Sequence, residues 1–327
     1  MNIVFTKDTN RIPQNRIVHI IEHEGYGTLH QLIEPLVFAD SRHSVICSNC
    51  LSSMFFEKNV NYIIHCTGHM YPLVSSLDRI LNEHIKISLF LHVAPKYLIL
   101  KNKDCFIDYL RMLQKQYGLK LFCPSEKLSE EYGYYALTVK FVQMGINSID
   151  LNESNLDMLK IKPYCNKYIT TCTSSDPRYI DLKGVNEFVS VMEMMNKTDD
   201  ALICGFNGMY RNVRCVLLDP VSFLTILKNA TCYMQFSKTE AYNITAVQAK
   251  RLKVPVIVSD IEGHIDCMKN KLNRVNILQL HTQNDIENII TQVSDFEVIE
   301  LNYKDSIQRE NLNAFSKNII DNILQEE

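Results

Sequence analysis

Between Asn229 and Gly263 the sequence reads as strand, loop, helix, strand and loop. Thr231 to Phe236 is a short apolar run rich in strand formers, and Ser237-Lys238-Thr239-Glu240 interrupts it with polar residues. Ile244, Val247 and Leu252 are spaced for one face of a helix, with Ala246 and Ala249 as small packing residues. Val254-Pro255-Val256-Ile257-Val258 is apolar without alternation, the pattern of a strand buried on both faces. Strand, helix and strand in this order cross back over a parallel sheet. The unit places Glu240 and the backbone N–H groups of Ala241, Tyr242 and Asn243 at a helix N-terminus, above the carboxyl end of a strand. Doubly wound sheets bind ligands there, and a phosphate finds N–H groups and a favourable dipole.

The rest of the chain repeats this alternation. Strands are expected over Asn2 to Thr6, Ile17 to Ile21, Val45 to Cys47, Tyr62 to Cys66, Ile87 to Val93, Leu121 to Cys123 and Thr138 to Val142. Ser125 reads as the cap of a helix entered through Pro124-Ser125-Glu126. A polar segment from Ser148 to Lys167, containing Pro163, reads as a linker with a domain boundary near residue 160. A second alternation follows: strands over Tyr168 to Thr173, Ala201 to Cys204 and Val216 to Leu218, and helices over Val185 to Met195 and Val221 to Leu227. A late strand over Asn276 to Leu280, a helix over Asp285 to Val293 and a final helix from Asn311, packing back toward the first domain, complete the reading. The expected fold class is α/β: a Rossmann-like domain over residues 1–160 and another over 161–310, facing each other across a cleft.

At 327 residues the chain suits two such domains, and with 46% hydrophobic and 22% charged residues it has a globular composition. A net charge of −3 offers no basic excess for nucleic acid. Met1 to Phe5 already reads as a strand rather than a leader, and Ile85 to Leu100 is interrupted by Lys86, Pro95 and Lys96. The 11 cysteines are scattered through apolar runs, and the pair Cys47 and Cys50 stands alone at metal or redox spacing. Reduced, buried cysteines and a cytoplasmic location are expected.

The block Ser237, Glu240, Ala249 and Pro255-Val256-Ile257 resembles the donor-binding segment of the retaining glycosyltransferases of family 4, which have the GT-B fold. Gln248 stands where that family has a second Glu, and Lys253-Val254 where it has Gly. Arg178 and Lys183-Gly184 match the family's Arg and Lys-Gly in order and place, and His92, Phe122 to Glu126 and Val142 to Asn147 resemble first-domain pieces. The resemblance implies that Arg178, Lys183 and Gly184 meet the donor diphosphate and Glu240 the donor sugar. It also implies that Ala241, Tyr242, Asn243 and Ile244 line the donor, Gln248 the nucleotide ribose, and that His92 lies near the reacting sugar. By themselves, Arg178 and Lys183 would also fit a solvated loop, and Glu240 a charge favoured by the helix dipole. Gly25-Tyr26-Gly27 could form an acceptor-side loop or a bare turn, and His65 and His69 are further strand-end histidines.

The activity this implies is a retaining transfer from a nucleotide sugar, a UDP-sugar by first choice, to a hydroxyl acceptor. The acceptor would be a glycan or a lipid-linked one met at a membrane surface, in cell-surface polysaccharide or glycan assembly. No cofactor beyond the donor is expected. The sequence has no Asp-x-Asp, so the leaving diphosphate falls to protein cations and a helix end rather than a metal. The alternatives are a non-catalytic GT-B partner subunit, a sugar-nucleotide epimerase, and a generic Rossmann binding module.

Overall fold

The computed structural model describes residues 4–5, 16–21, 33, 37, 42–47, 54–67, 77–100, 102–142, 158–261, 274–275, 284 and 287. The chain divides into two compact units, Met1–Ser148 with Lys304–Glu327, and Ile149–Tyr303. Gly25-Tyr26-Gly27, His69, the late strand over Asn276 to Leu280 and the final helix lie outside the described residues, as does most of the helix over Asp285 to Val293.

The first unit is built on seven strands: β1 (Val4–Phe5), β2 (Arg16–Ile21), β3 (His43–Cys47), β4 (Val60–Cys66), β5 (Lys86–Leu91), β6 (Lys120–Cys123) and β7 (Val139–Phe141). Their order is β1-β3-β2-β4-β5-β6-β7, and only β1 runs antiparallel. Every residue of β4 is buried, as its central place requires. Four helices are described: α1 (Leu77–Leu81), α2 (Pro95–Leu100), α3 (Asp104–Tyr117) and α4 (Glu126–Gly133). Phe106, Ile107, Leu110 and Leu113 form the buried face of α3, which ends where Gly118 turns left-handed at φ 65°. Ser125 caps α4, its hydroxyl accepting from the Leu128 N–H at 3.2 Å.

The second unit repeats the plan with β8 (Tyr168–Thr171), β9 (Ala201–Cys204), β10 (Gly208–Tyr210), β11 (Val213–Val216), β12 (Cys232–Gln235), β13 (Val256–Ser259) and β14 (Arg274–Val275). The order is β10-β11-β9-β8-β12-β13-β14, parallel except for β10. Its helices are α5 (Met158–Ile161), α6 (Pro177–Leu182), α7 (Val185–Met194), α8 (Pro220–Lys228) and α9 (Ile244–Arg251). One core packs Cys232 and Met234 with Ile180, Val185, Phe188 and Met192. The other packs Tyr233, Val256 and Val258 with Ile226, Leu227, Ala246 and Ala249. Successive residues of β12 thus serve opposite faces, which is why the strand carries no polar alternation.

Two expectations change here. The end of the supposed linker is helical: α5 runs into a short 3-10 turn over Lys162–Tyr164, because Ile161 has a core to bury into. The strand expected over Val216 to Leu218 ends at Val216 and begins at Val213. It closes a hairpin with β10 through Arg211, whose backbone is left-handed at φ 51°.

Candidate functional site

In the second sheet, β8 and β12 are neighbours, yet the chain leaves them in opposite directions, β8 toward β9 and β12 toward β13. This is the topological switch point, where the crossovers diverge at the carboxyl ends of the strands. Thr171 ends β8 and Gln235 ends β12, and the two side chains are bonded to each other. Gln235 Oε1 accepts from the Thr171 hydroxyl at 2.8 Å and from the Tyr233 hydroxyl at 2.9 Å. Gln235 Nε2 donates to the Lys183 carbonyl at 2.6 Å and to Ser237 Oγ at 3.1 Å. Ser259 at the end of β13 donates to the Ser237 carbonyl at 2.6 Å.

This buried network fixes the junction of α6 and α7 against the segment that follows β12. Asp176 caps α6 by accepting from the Arg178 N–H at 2.8 Å, with Pro177 in the first turn. The helix closes at Lys183, and Gly184 then turns left-handed at φ 66° to start α7. Gly184 lies so close to the Phe236 backbone that a Cβ there would sit 1.8 Å from its carbonyl oxygen. The Lys238 N–H donates to the Leu182 carbonyl at 2.9 Å, continuing the seam.

The seam brings Lys183 to Glu240. The ammonium lies 2.6 Å from Glu240 Oε2, and the two side chains are only 19% and 16% exposed. The ammonium also sits 5.7 Å from the centre of the Tyr179 ring. Burial works against its charge, but the Glu240 carboxylate and Tyr179 outweigh burial and hold its pKa above the ordinary lysine value. The site therefore keeps a fixed cation at neutral pH. Thr239, beside Glu240, is buried with a hydroxyl that has no hydrogen-bond partner among the described residues.

α9 follows the Glu240 loop, where the sequence places a helix. Asn243 is its cap, its side-chain oxygen accepting from the Ala246 N–H at 2.9 Å. Ala241 and Tyr242 therefore precede the helix, and the first helical residue is Ile244. The reason is capping chemistry: the Asn side chain satisfies an end-of-helix N–H that Ala and Tyr cannot.

No protein-family model matches this sequence, and no curated protein matches it. Solved structures do. A UDP-forming α,α-trehalose-phosphate synthase from Burkholderia vietnamiensis aligns over 96% of this chain and 98% of its own, with a TM-score of 0.63 at 10% identity. The trehalose-6-phosphate synthase OtsA aligns over 95% and 97%, at 0.59 and 11%. Anabaena Alr3699/HepE, in complex with UDP-glucose, aligns over 94% and 95%, at 0.54 and 10%. The fold is GT-B.

Of the residues singled out in this GT-B chain, Lys183, Gly184 and Glu240 come together at one place. Arg178 does not join them: its side chain is 79% exposed and its guanidinium pairs with Asp176 at 3.1 Å. The cap that starts α6 also captures this arginine. Gln248 is buried just over one turn into α9. His92 follows β5 in the first unit, with its Nε2 2.8 Å from Nδ1 of His65. Among the described residues no group of three or more His, Cys, Asp or Glu is placed to hold a metal ion. No helix among them is long and apolar enough to cross a membrane.

Gln235 was not legible as a site residue, though a lone amide in a strand buried on both faces is a signal, since a buried amide must find partners. Gln235→Leu is expected to remove roughly 2–4 kcal/mol from the second unit, because several buried polar groups lose their partner at once. Faster amide exchange in β8 and β12 would report the loss. Unchanged exchange there would mean that the network does not hold the seam.

Proposed function

We propose that this chain is a retaining, metal-independent glycosyltransferase that takes a nucleoside-diphosphate sugar, a UDP-sugar by first choice, at the switch point of its second unit. The observation that carries the reading is the Lys183–Glu240 pair, fixed where the strands β8 and β12 end. A diphosphate needs a cation, and a sugar needs a carboxylate for its hydroxyls. When a donor enters, Lys183 turns from Glu240 to the leaving phosphate, and Glu240 is released to orient the sugar. The leaving diphosphate oxygen takes the acceptor proton as it departs from the face on which the acceptor arrives. That route asks for no side-chain base. The likeness of Ser237, Glu240, Lys183-Gly184 and Pro255-Val256-Ile257 to family 4 agrees with it, as does the fold shared with proteins whose structures are described as UDP-forming and as bound to UDP-glucose. A glycan or lipid-linked acceptor remains part of the proposal.

Titration calorimetry with UDP tests this. Lys183→Ala is expected to weaken binding about ten- to a hundredfold, since a charge-assisted hydrogen bond contributes roughly 1.5–3 kcal/mol. Glu240→Gln should hold or raise UDP affinity, because the competing carboxylate is gone, while turnover falls. Equal losses in both variants would defeat the division of roles, and loss of turnover in EDTA, restored by manganese, would defeat metal independence. The uncharged, buried Gln248 favours a second reading, a partner subunit that binds nucleotide without turnover. UDP binding with no transfer or donor hydrolysis would select it.

A further inference from the structure

Four histidines cross one face of the first sheet in an unbroken chain. Nδ1 of His43 lies 2.9 Å from Nε2 of His19, Nδ1 of His19 lies 2.9 Å from Nε2 of His65, and Nδ1 of His65 lies 2.8 Å from Nε2 of His92. Successive ring centres are 5.1, 5.2 and 5.1 Å apart. The strands that carry them are the four neighbours β3, β2, β4 and β5. His43 opens β3, His19 sits within β2, His65 is next to last in β4, and His92 follows β5. The chain therefore runs diagonally from the amino edge of the sheet to its carboxyl edge. His19, His43 and His65 are at most 2% exposed.

A neutral imidazole carries one proton on one of its two nitrogens. Each N···N contact needs one proton, and His19 and His65 use both nitrogens in contacts. If His19 carries its proton on Nδ1, then His65, His92 and His43 must carry theirs on Nδ1 as well. If His19 carries it on Nε2, all the others must follow. Two arrangements alone keep four neutral rings and three hydrogen bonds. Neutral rings are what burial enforces: it lowers the pKa of His19 and His65 well below the ordinary value, and that of His92 to about 3. The charges that act on His19 and His65 belong to the same chain, His43 acting on His19, and His92 and His19 acting on His65.

We propose that the four imidazoles are a proton relay across the first sheet, which switches the outward Nδ1 of His92 between hydrogen-bond donor and acceptor. Nδ1 of His92 makes no hydrogen bond among the described residues, and it stands at the edge where doubly wound sheets take their ligands. Starting from the all-Nδ1–H arrangement, water delivers a proton to Nε2 of His43. The Nδ1 proton of His43 passes to Nε2 of His19, that of His19 to Nε2 of His65, and that of His65 to Nε2 of His92. The Nδ1 proton of His92 leaves to water or to a ligand oxygen. One proton has entered, one has left, all four rings are neutral again, and His92 now offers a lone pair outward. The reverse sequence resets the chain. This inference does not depend on the second unit or on the sugar-transfer reading.

Nitrogen NMR of the full chain labelled with 15N-histidine tests it at neutral pH. The expected result is one ratio of Nδ1–H to Nε2–H tautomer shared by His43, His19, His65 and His92, with one exchange rate common to all four. Different ratios among the rings, or four rings frozen in one tautomer without exchange on the millisecond scale, would overturn the relay. His65→Phe should sever it: His19 and His43 keep a common ratio while His92 takes another. A His92 ratio that still tracks His19 in this variant would equally overturn it. Should the variant not fold, the wild-type ratios and rates decide alone.

Discussion

Gly184→Ala is expected to destabilise the second unit by about 4 kcal/mol and to abolish measurable UDP binding. Two independent penalties act at this position. Holding a non-glycine residue left-handed costs about 1 kcal/mol. The added Cβ would also lie 1.8 Å from the Phe236 carbonyl oxygen, 2.2 Å from its carbon and 2.8 Å from its Cα. These are backbone atoms with no rotamer to retreat to, so the cost falls at the upper end of overpacking, about 3 kcal/mol. Relief requires Phe236 to move, and its neighbours Gln235 and Ser237 are tied to the Lys183 carbonyl and to each other. The seam that sets Lys183 against Glu240 must therefore open. Gly118→Ala supplies the control, because Gly118 has nearly the same φ, 65°, and open space around the missing Cβ. It should cost only about 1 kcal/mol. Amide exchange in β12, read beside β6 for the control, separates the two units, which a single unfolding curve for a two-unit chain does not. Equal losses in the two variants would show that the close approach to Phe236 carries no weight.

The placement of Lys183, Gly184 and Glu240 was legible because its signals are local. Lys183-Gly184 sits at a helix junction and Glu240 ahead of a helix, and both places follow from the order of short patterns along the chain. The strand sequence around Val256-Ile257 likewise announces a buried strand. Gln235 and the histidine chain were not legible, for a different reason. His19, His43, His65 and His92 lie far apart in sequence, and nothing in the sequence marks the four as one chain. Only the order β3-β2-β4-β5 and its register place them side by side. The register pairs His43 with Ile17 and His65 with Phe90, so each ring falls diagonally next to the following one. Arg178 shows what spacing alone leaves open: its place in the sequence matches a phosphate-binding pattern, and in the structure its guanidinium pairs with the Asp176 cap. The β10–β11 hairpin escaped because its turn uses Arg211 and Asn212, without the glycine that normally marks a tight turn.

The first unit is expected to lose cooperative structure near pH 5, while the second remains folded. The histidine chain sets the sign. In the unfolded chain each histidine titrates near pH 6.5. In the folded unit, burial lowers the pKa of His19, His65 and His92. Above about pH 6.5 both states hold these rings neutral, and their full contribution to stability is present. As the pH falls below that value the unfolded state binds protons that the folded state refuses, so stability drops until the folded pKa values, about 3 for His92, are reached. At pH 5 the unfolded rings are about 1.5 pH units past their midpoint, which costs about 2 kcal/mol per ring and about 6 kcal/mol for the three. A typical domain has roughly 5–15 kcal/mol in all. A single proton accepted by the relay in the native state would return at most one ring's share. The second unit provides the contrast, because none of its described residues is a histidine. Amide exchange followed from pH 7 to pH 5 should therefore show protection collapsing in β2, β4 and β5 but persisting in β8, β12 and β13, once the intrinsic pH dependence of exchange is removed. His65→Gln, which can still donate and accept but does not titrate, should recover about 2 kcal/mol at pH 5. Equal protection of β4 at the two pH values would show that His19, His65 and His92 are not held neutral by the fold.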